Sequence, residues 1–246
     1  MRYLVPIVFS IFYFLVLYLN YLANALPMNH MTTGEISSKY PTLITPSSTA
    51  FLIWPLIYVL LFAFIVKIWI DYHKRLTDNI IVYKKLLPFF IIQCFANILW
   101  LITWHYERTY LSVSVMFILL ISLIYIYFEV KNTALWVFPW EIYLGWISVA
   151  AIVNVAVAFT KAGWIDQMGN STGWTMIMLV VASFLSLIFL WRENSFYFTM
   201  VNIWALIHIA IGNKADTSIY FAALAFISVQ FLIVYYVRRM RADSKD

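Results

Sequence analysis

Neutral polar and aromatic side chains recur at helical spacing in the sequence. Gln93, Asn97, Trp100 and Trp104 are separated by 4, 3 and 4 residues and would share one face of a helix. Indole rings can stack on flat molecules, and amides can orient a ligand by hydrogen bonding. This face therefore predicts one wall of a pocket for a flat, largely apolar ligand.

Two other segments carry comparable faces. One consists of Tyr143, Trp146, Ala150 and Asn154, and the other of Phe51, Trp54 and Tyr58. Amides within lipid need hydrogen-bond partners, so these faces are expected to turn towards protein. The competing interpretation is that the amides only join helices and that the rings belong to the aromatic belts at the membrane surface. Five tryptophans are assigned to such belts: Trp136, Trp140, Trp164, Trp174 and Trp191.

Ionisable residues are scarce in the apolar segments. Glu141 and Lys67 lie near segment ends, where their side chains can reach the membrane surface. His208 has no neighbouring His or Cys in its segment, which favours a helix contact over a metal site. The sequence has no recognisable nucleophile elbow, phosphate-binding loop or His-Glu-x-x-His motif. We therefore predict no catalytic residue, no metal and no enzymatic activity.

The composition defines the elements that must position these residues. Of 246 residues, 64% are hydrophobic and 11% are charged, which excludes an ordinary soluble domain. The basic residues are not gathered on a soluble domain, so no nucleic-acid partner is expected. The continuous apolar runs predict an all-α polytopic membrane helical bundle with about eight transmembrane helices. The predicted spans are 4–25, 49–70, 86–104, 110–128, 136–159, 173–191, 196–212 and 218–237.

The distribution of Lys and Arg predicts the orientation of the bundle. One side, which includes both termini, carries twelve of the sixteen basic residues, and the other side carries four. The positive-inside rule then places both termini in the cytoplasm. We expect an integral protein of a bacterial cell membrane, with lipids as partners. A homodimer is left open, and Ala151 and Ala158 would permit close helix packing.

Residues 26–48 form the longest predicted loop, and the charge distribution places it outside the cell. Met28, Ile36, Tyr40, Leu43 and Ile44 favour a lid packed on the helix ends over a loose tether. The first span also has features of a cleavable signal, with Leu26 as the alternative mature N-terminus. Its length and the seven spans that follow favour retention.

Three blocks of residues resemble the TspO/MBR family of tryptophan-rich sensory proteins, which are related to mitochondrial translocator protein. The most specific is Pro139-Trp140-x2-Tyr143-x2-Trp146-x3-Ala150-x2-Val153-Asn154. The others are Gln93-x3-Asn97-x2-Trp100 and Pro41-x4-Pro46-x4-Phe51-x2-Trp54-x3-Tyr58. The resemblance covers the first five spans and leaves three additional C-terminal helices, as in a longer, divergent member. We therefore predict a TspO/MBR-like bundle over residues 1–160 and a second part over 161–246.

The resemblance implies a pocket beneath the external loop that binds a hydrophobic aromatic ligand. Tetrapyrroles such as haem or porphyrin, and sterols, are the ligands it suggests, with no cofactor required. The residues it implies are Trp54, Tyr58, Asn97, Trp100, Tyr143, Trp146, Ala150 and Asn154. The predicted function is ligand binding for sensing or transport. The alternatives are a small-solute transporter and a structural or assembly protein without a ligand.

Overall fold

The computed structural model describes residues 2–25, 28–133 and 135–243, and within these ranges the regular structure is entirely helical. The α-helices are α1 (Leu4–Ala25), α2 (Thr33–Lys39), α3 (Ile53–Lys74), α4 (Thr77–His105), α5 (Thr109–Lys131), α6 (Phe138–Lys161), α7 (Trp164–Met168), α8 (Ser171–Glu193), α9 (Phe196–Gly212) and α10 (Thr217–Asp243). Short 3₁₀ turns occupy Met28–His30 and Ser48–Leu52. Leu26, Pro27 and Lys245, used in the predictions about the loop, the first span and the basic side, lie outside the described residues.

The predicted all-α membrane bundle is confirmed. In the described ranges, seven helical segments are long and apolar enough to cross a membrane. The segment containing α9 is also apolar but has only 17 residues, and it corresponds to the shortest predicted span. Continuous helices satisfy their backbone hydrogen bonds internally, which is what a chain of this composition requires in lipid.

The chain forms two compact units that differ from the predicted division at residue 160. The first unit contains residues 1–39 and 52–147, and the second contains 40–51 and 148–246. Helix α6 therefore contributes to both units. The later part of the predicted loop, residues 40–51, belongs to the second unit. This assignment follows from tertiary contacts, which the order of the spans along the chain does not reveal.

The turn between α3 and α4 in the first unit is organised by Asp71, which is almost fully buried. Its carboxylate accepts hydrogen bonds from Lys67 (2.9 Å), Asn79 (2.9 Å) and Tyr83 (2.6 Å). Arg75 ends α3 in the left-handed conformation with φ of 60°. Lys67 was expected to extend freely to the membrane surface. It instead forms an ion pair with Asp71, which lies one turn away on the same helix.

Helix α2 begins with a capping box formed by Thr32 and Glu35. The Glu35 carboxylate accepts from the Thr32 backbone N–H at 2.7 Å and from its hydroxyl at 2.9 Å, and the Thr32 hydroxyl accepts from the Glu35 N–H at 3.3 Å. These hydrogen bonds to the carboxylate lower the pKa of Glu35 below its usual value. The reciprocal arrangement satisfies backbone donors at the start of a helix that is only seven residues long.

In the second unit, the side chain of Gln230 on α10 joins this helix to α8 and α9. Its oxygen accepts from the Ser186 hydroxyl at 3.1 Å, and its nitrogen donates to Ser183 at 3.2 Å and to Asn202 at 2.8 Å. Ser183 and Ser186 lie on α8, and Asn202 lies on α9. One fully buried amide therefore connects three helices in a medium that offers few other polar partners.

Replacing Gln230 by leucine should destabilise the second unit by about 1–2 kcal/mol, because three hydrogen bonds are lost and Asn202 loses a donor. The measurement is the thermal unfolding midpoint of purified protein in detergent. Ser228→Ala is the matched control, since Ser228 is exposed on the same helix and bonds only to the Leu224 carbonyl. Equal midpoints for the two variants would contradict the role assigned to Gln230.

Candidate functional site

The predicted aromatic faces of α3, α4 and α6 meet around the ring of Trp54 in the first unit. Trp54 stacks on Tyr58 at 5.7 Å between ring centroids and on Trp100 at 6.3 Å. It meets Tyr143 at 6.1 Å and Trp146 at 6.4 Å in edge-on geometry. The four surrounding rings are buried, whereas Trp54 is half-buried. These distances lie in the range in which aromatic pairs attract each other.

A chain of buried amides lies beside this aromatic cluster. Asn20 of α1 donates to the Asn97 oxygen at 2.9 Å, and Asn97 donates to the Tyr143 hydroxyl at 3.0 Å. Tyr143 donates to Gln93 at 3.3 Å, and Gln93 donates to the Cys94 sulfur at 3.0 Å. Asn97 is completely buried. Its two hydrogen bonds hold α1 and α6 against α4 and so fix the rings that those helices carry.

Two polar atoms of the aromatic cluster lack a partner. The Tyr58 hydroxyl and the Trp100 indole nitrogen are buried and make no hydrogen bond to any described residue. An unpaired buried polar group costs about 1–3 kcal/mol. Both residues stack on Trp54, so the two unsatisfied atoms belong to rings that contact it. The arrangement can hold a flat ring by stacking and can offer it hydrogen bonds.

The first part of the loop between α1 and α3 packs on the end of α4, as the lid interpretation predicts. The Trp104 indole donates to the Thr33 carbonyl at 3.1 Å, and the Asn29 amide donates to the His105 carbonyl at 3.0 Å. Trp104 also stacks on Trp100 at 6.0 Å. A continuous series of ring contacts therefore runs from the aromatic cluster to α2.

The remaining loop residues pack within the second unit, where His208 has a role that the sequence did not indicate. The His208 Nδ1 atom lies 2.7 Å from the Ser47 hydroxyl and 3.1 Å from the Thr49 hydroxyl. The Ser47 N–H donates to the His208 carbonyl at 3.0 Å, and the Trp204 indole donates to the Ala50 carbonyl at 3.1 Å. His208 thus fastens the loop to α9, and the predicted contact between helices is corrected to a contact between loop and helix.

Six of the eight predicted ligand residues come together in the first unit: Trp54, Tyr58, Asn97, Trp100, Tyr143 and Trp146. Ala150 and Asn154 follow Trp146 on α6 but belong to the second unit. Asn154 is buried and Ala150 is half-buried. Ligand binding by any of these residues stays a prediction.

Several expectations for single residues need correction. Trp140 was assigned to an interfacial belt, yet it is 1% exposed and packs edge-on against Phe64 at 5.2 Å. Its spacing of three from Tyr143 places it on the buried face of α6. Glu141 is also buried instead of extending to the membrane surface. Ala151 and Ala158 are buried, as close packing of α6 against other helices requires.

Sequence reasoning missed Asn20, which completes the amide chain. The signal was available, since an amide in an apolar segment needs a partner in lipid. It also missed Asp71, whose signal was its spacing of four from Lys67. In the part of the chain that the structure describes, no group of three or more His, Cys, Asp or Glu residues is placed to hold a metal ion.

Comparison with known families agrees with this architecture. A family model described as TSPO-like protein matches residues 6–236. The chain therefore belongs to the TSPO-like protein family. The match extends past residue 160 into the C-terminal helices α8, α9 and α10. No curated protein and no solved structure matches the chain.

Replacing Asn97 by alanine should lower the free energy of unfolding by about 1–3 kcal/mol, because two buried hydrogen bonds are lost and their partners remain buried. The midpoint of thermal unfolding in detergent measures this. Asn132→Ala is the control, since the Asn132 amide is exposed and bonds only to the Phe128 carbonyl one turn earlier. Unchanged stability in Asn97→Ala would show that the amide does not join the helices.

Proposed function

We propose that this integral membrane protein binds a flat, hydrophobic aromatic ligand beside Trp54. The supporting observation is the pair of unpaired buried atoms, the Tyr58 hydroxyl and the Trp100 indole nitrogen, on rings that stack on Trp54. A ligand carrying a hydrogen-bond acceptor would remove the cost of leaving these donors unsatisfied. Binding proceeds through stacking and hydrogen bonding, without a covalent step.

A tetrapyrrole such as protoporphyrin fits the chemistry of these residues. Its flat ring can stack on indole and phenol faces, and its carboxylates can accept hydrogen bonds. Trp54 is the ring that the ligand displaces, because Trp54 is half-buried whereas its four neighbouring rings are buried. The ligand then takes over the ring contacts of Trp54 with Trp100 and Tyr58. A sterol fits less well, since it has no aromatic face.

The binding experiment titrates protein in lipid nanodiscs with protoporphyrin IX and follows the absorbance of the porphyrin. Trp100→Phe keeps a ring but loses the indole N–H, so affinity should fall about 3–10-fold. Trp146→Ala removes a stacking face and should weaken binding by at least as much. The control is Trp191→Phe, because Trp191 is exposed on α8. Equal affinity in all three variants, or no saturable binding, would contradict the proposal.

A purely structural role is the second candidate, and the continuous amide chain from Asn20 to Cys94 favours it. In that case Asn97→Ala would lower stability, and no flat ligand would bind with saturation. The titration distinguishes the candidates, since both expect the stability loss and only a binding protein shows saturable binding of the porphyrin.

We further propose that both termini face the cytoplasm of a bacterial cell, on the basis of the twelve basic residues on that side. The single cysteine, Cys94, is buried and gives a clean background for labelling. A membrane-impermeant maleimide applied to intact cells should therefore label Ser38→Cys but not Lys74→Cys, and both residues are exposed. Permeabilised cells provide the control, in which both variants react. The reverse pattern in intact cells would invert the assigned orientation.

A further inference from the structure

The last turns of α10 carry arginines that lie beside the short connection between α8 and α9. Arg241 donates to the Trp191 carbonyl at 2.8 Å and to the side-chain oxygen of Asn194. The Arg238 guanidinium lies over the Phe196 ring, 3.8 Å from its centre. Arg238 and Arg241 are three residues apart and therefore share the side of α10 that faces this connection. Two guanidinium groups are thus held at the point where α8 ends and α9 begins.

A small apolar core sets the rotation of α10 about its axis. Val234 and Val237 of α10 are buried together with Leu190 of α8, and Phe196 of α9 packs against them. Val237 directly precedes Arg238, and Val234 lies one turn before it. Because close packing tolerates few arrangements of these side chains, the core fixes the position at which Arg238 emerges from the helix.

Four arginines at this end of the second unit form a group that we call the arginine patch: Arg192, Arg238, Arg239 and Arg241. All of them are exposed except Arg241, which is half-buried. The acidic residues of the same turns are Glu193 and Asp243, so the patch keeps a net positive charge. Arg239 lies 4.0 Å from Asp243, but both side chains are exposed, and such a pair is weak. No described carboxylate pairs with Arg238.

Exposed aromatic residues put these arginines at the depth of lipid head groups. Trp191 and Tyr235 are exposed, and such residues are enriched where a membrane meets water. Arg238 and Arg239 follow Tyr235 by about one helical turn, so their long side chains can extend to the phosphates. Leu232 is exposed on the same face of α10 as Tyr235 and Arg239. An apolar surface therefore leads directly to the positive charge, which matches a lipid better than a free ion.

We propose that the arginine patch binds the phosphate of an anionic glycerophospholipid. A guanidinium can donate two parallel hydrogen bonds to phosphate oxygens, and stacking on a ring leaves the N–H groups at its edge available. Arg238 makes the direct contact, because the Phe196 ring holds its guanidinium in place. Arg192 and Arg239 add positive charge at the same end of the unit. Arg241 is a positioning residue, because its hydrogen bonds hold α10 against α8. The site is independent of the ligand proposed beside the aromatic cluster.

The experiment titrates the full-length protein in detergent with dioleoyl phosphatidylglycerol and counts bound lipids by native mass spectrometry. Phosphatidylcholine with the same chains is the comparison lipid, and we expect it to bind more weakly because it carries no net charge. Arg238→Gln should weaken the binding of phosphatidylglycerol about fivefold, and Arg238→Lys, which keeps the charge, should weaken it less. The matched control is Lys84→Gln, which removes one positive charge from an exposed position on α4 and should leave the affinity unchanged.

A second arm of the experiment separates a lipid from a free phosphate ion. Glycerol 3-phosphate carries the phosphate without the chains, so a large excess of it should not displace phosphatidylglycerol. Thermal midpoints show whether each variant is folded, and if Arg238→Gln does not fold, Arg239→Gln decides, since Arg239 is exposed and should give a similar loss. Equal affinity for the two lipids, an equal loss in Lys84→Gln, or displacement by glycerol 3-phosphate would overturn the proposal.

Discussion

The hydrogen bonds of Asn97 are the interaction on which the aromatic cluster depends. A side-chain amide inside an apolar bundle has few partners to choose from, so the geometry in which both ends of the amide are satisfied is strongly preferred. In this chain the geometry brings Asn20 of α1 and Tyr143 of α6 to the same point of α4. With those helices in place, Trp100 and Trp146 both contact the ring of Trp54.

The second unit applies the same physical rule with different residues. Gln230 is fully buried and binds side chains from α8 and α9, as Asn97 binds side chains from α1 and α6. Each network therefore satisfies a buried amide with side chains from other helices of the same unit.

The sequence predicted most of the fold because span length and hydropathy are local properties. The faces carrying Trp54, Trp100 and Trp146 were also predictable, since residues three or four apart share a side of a helix. Spacing cannot show which helices are neighbours, and for that reason the placement of the loop beside His208 was not foreseen. The burial of Trp140 was missed for a related reason, because an aromatic belt and a buried face have the same composition.

Fluorine NMR of protein labelled with 5-fluorotryptophan tests most directly whether the rings next to Trp54 form the ligand contact. Single Trp→Phe variants assign the resonances of Trp54, Trp100, Trp164 and Trp191. On addition of protoporphyrin IX, the resonances of Trp54 and Trp100 should shift with saturation, while those of the exposed Trp164 and Trp191 stay in place. Shifts confined to Trp164 and Trp191 would contradict the account, since they would place the porphyrin on the exposed surface of the protein.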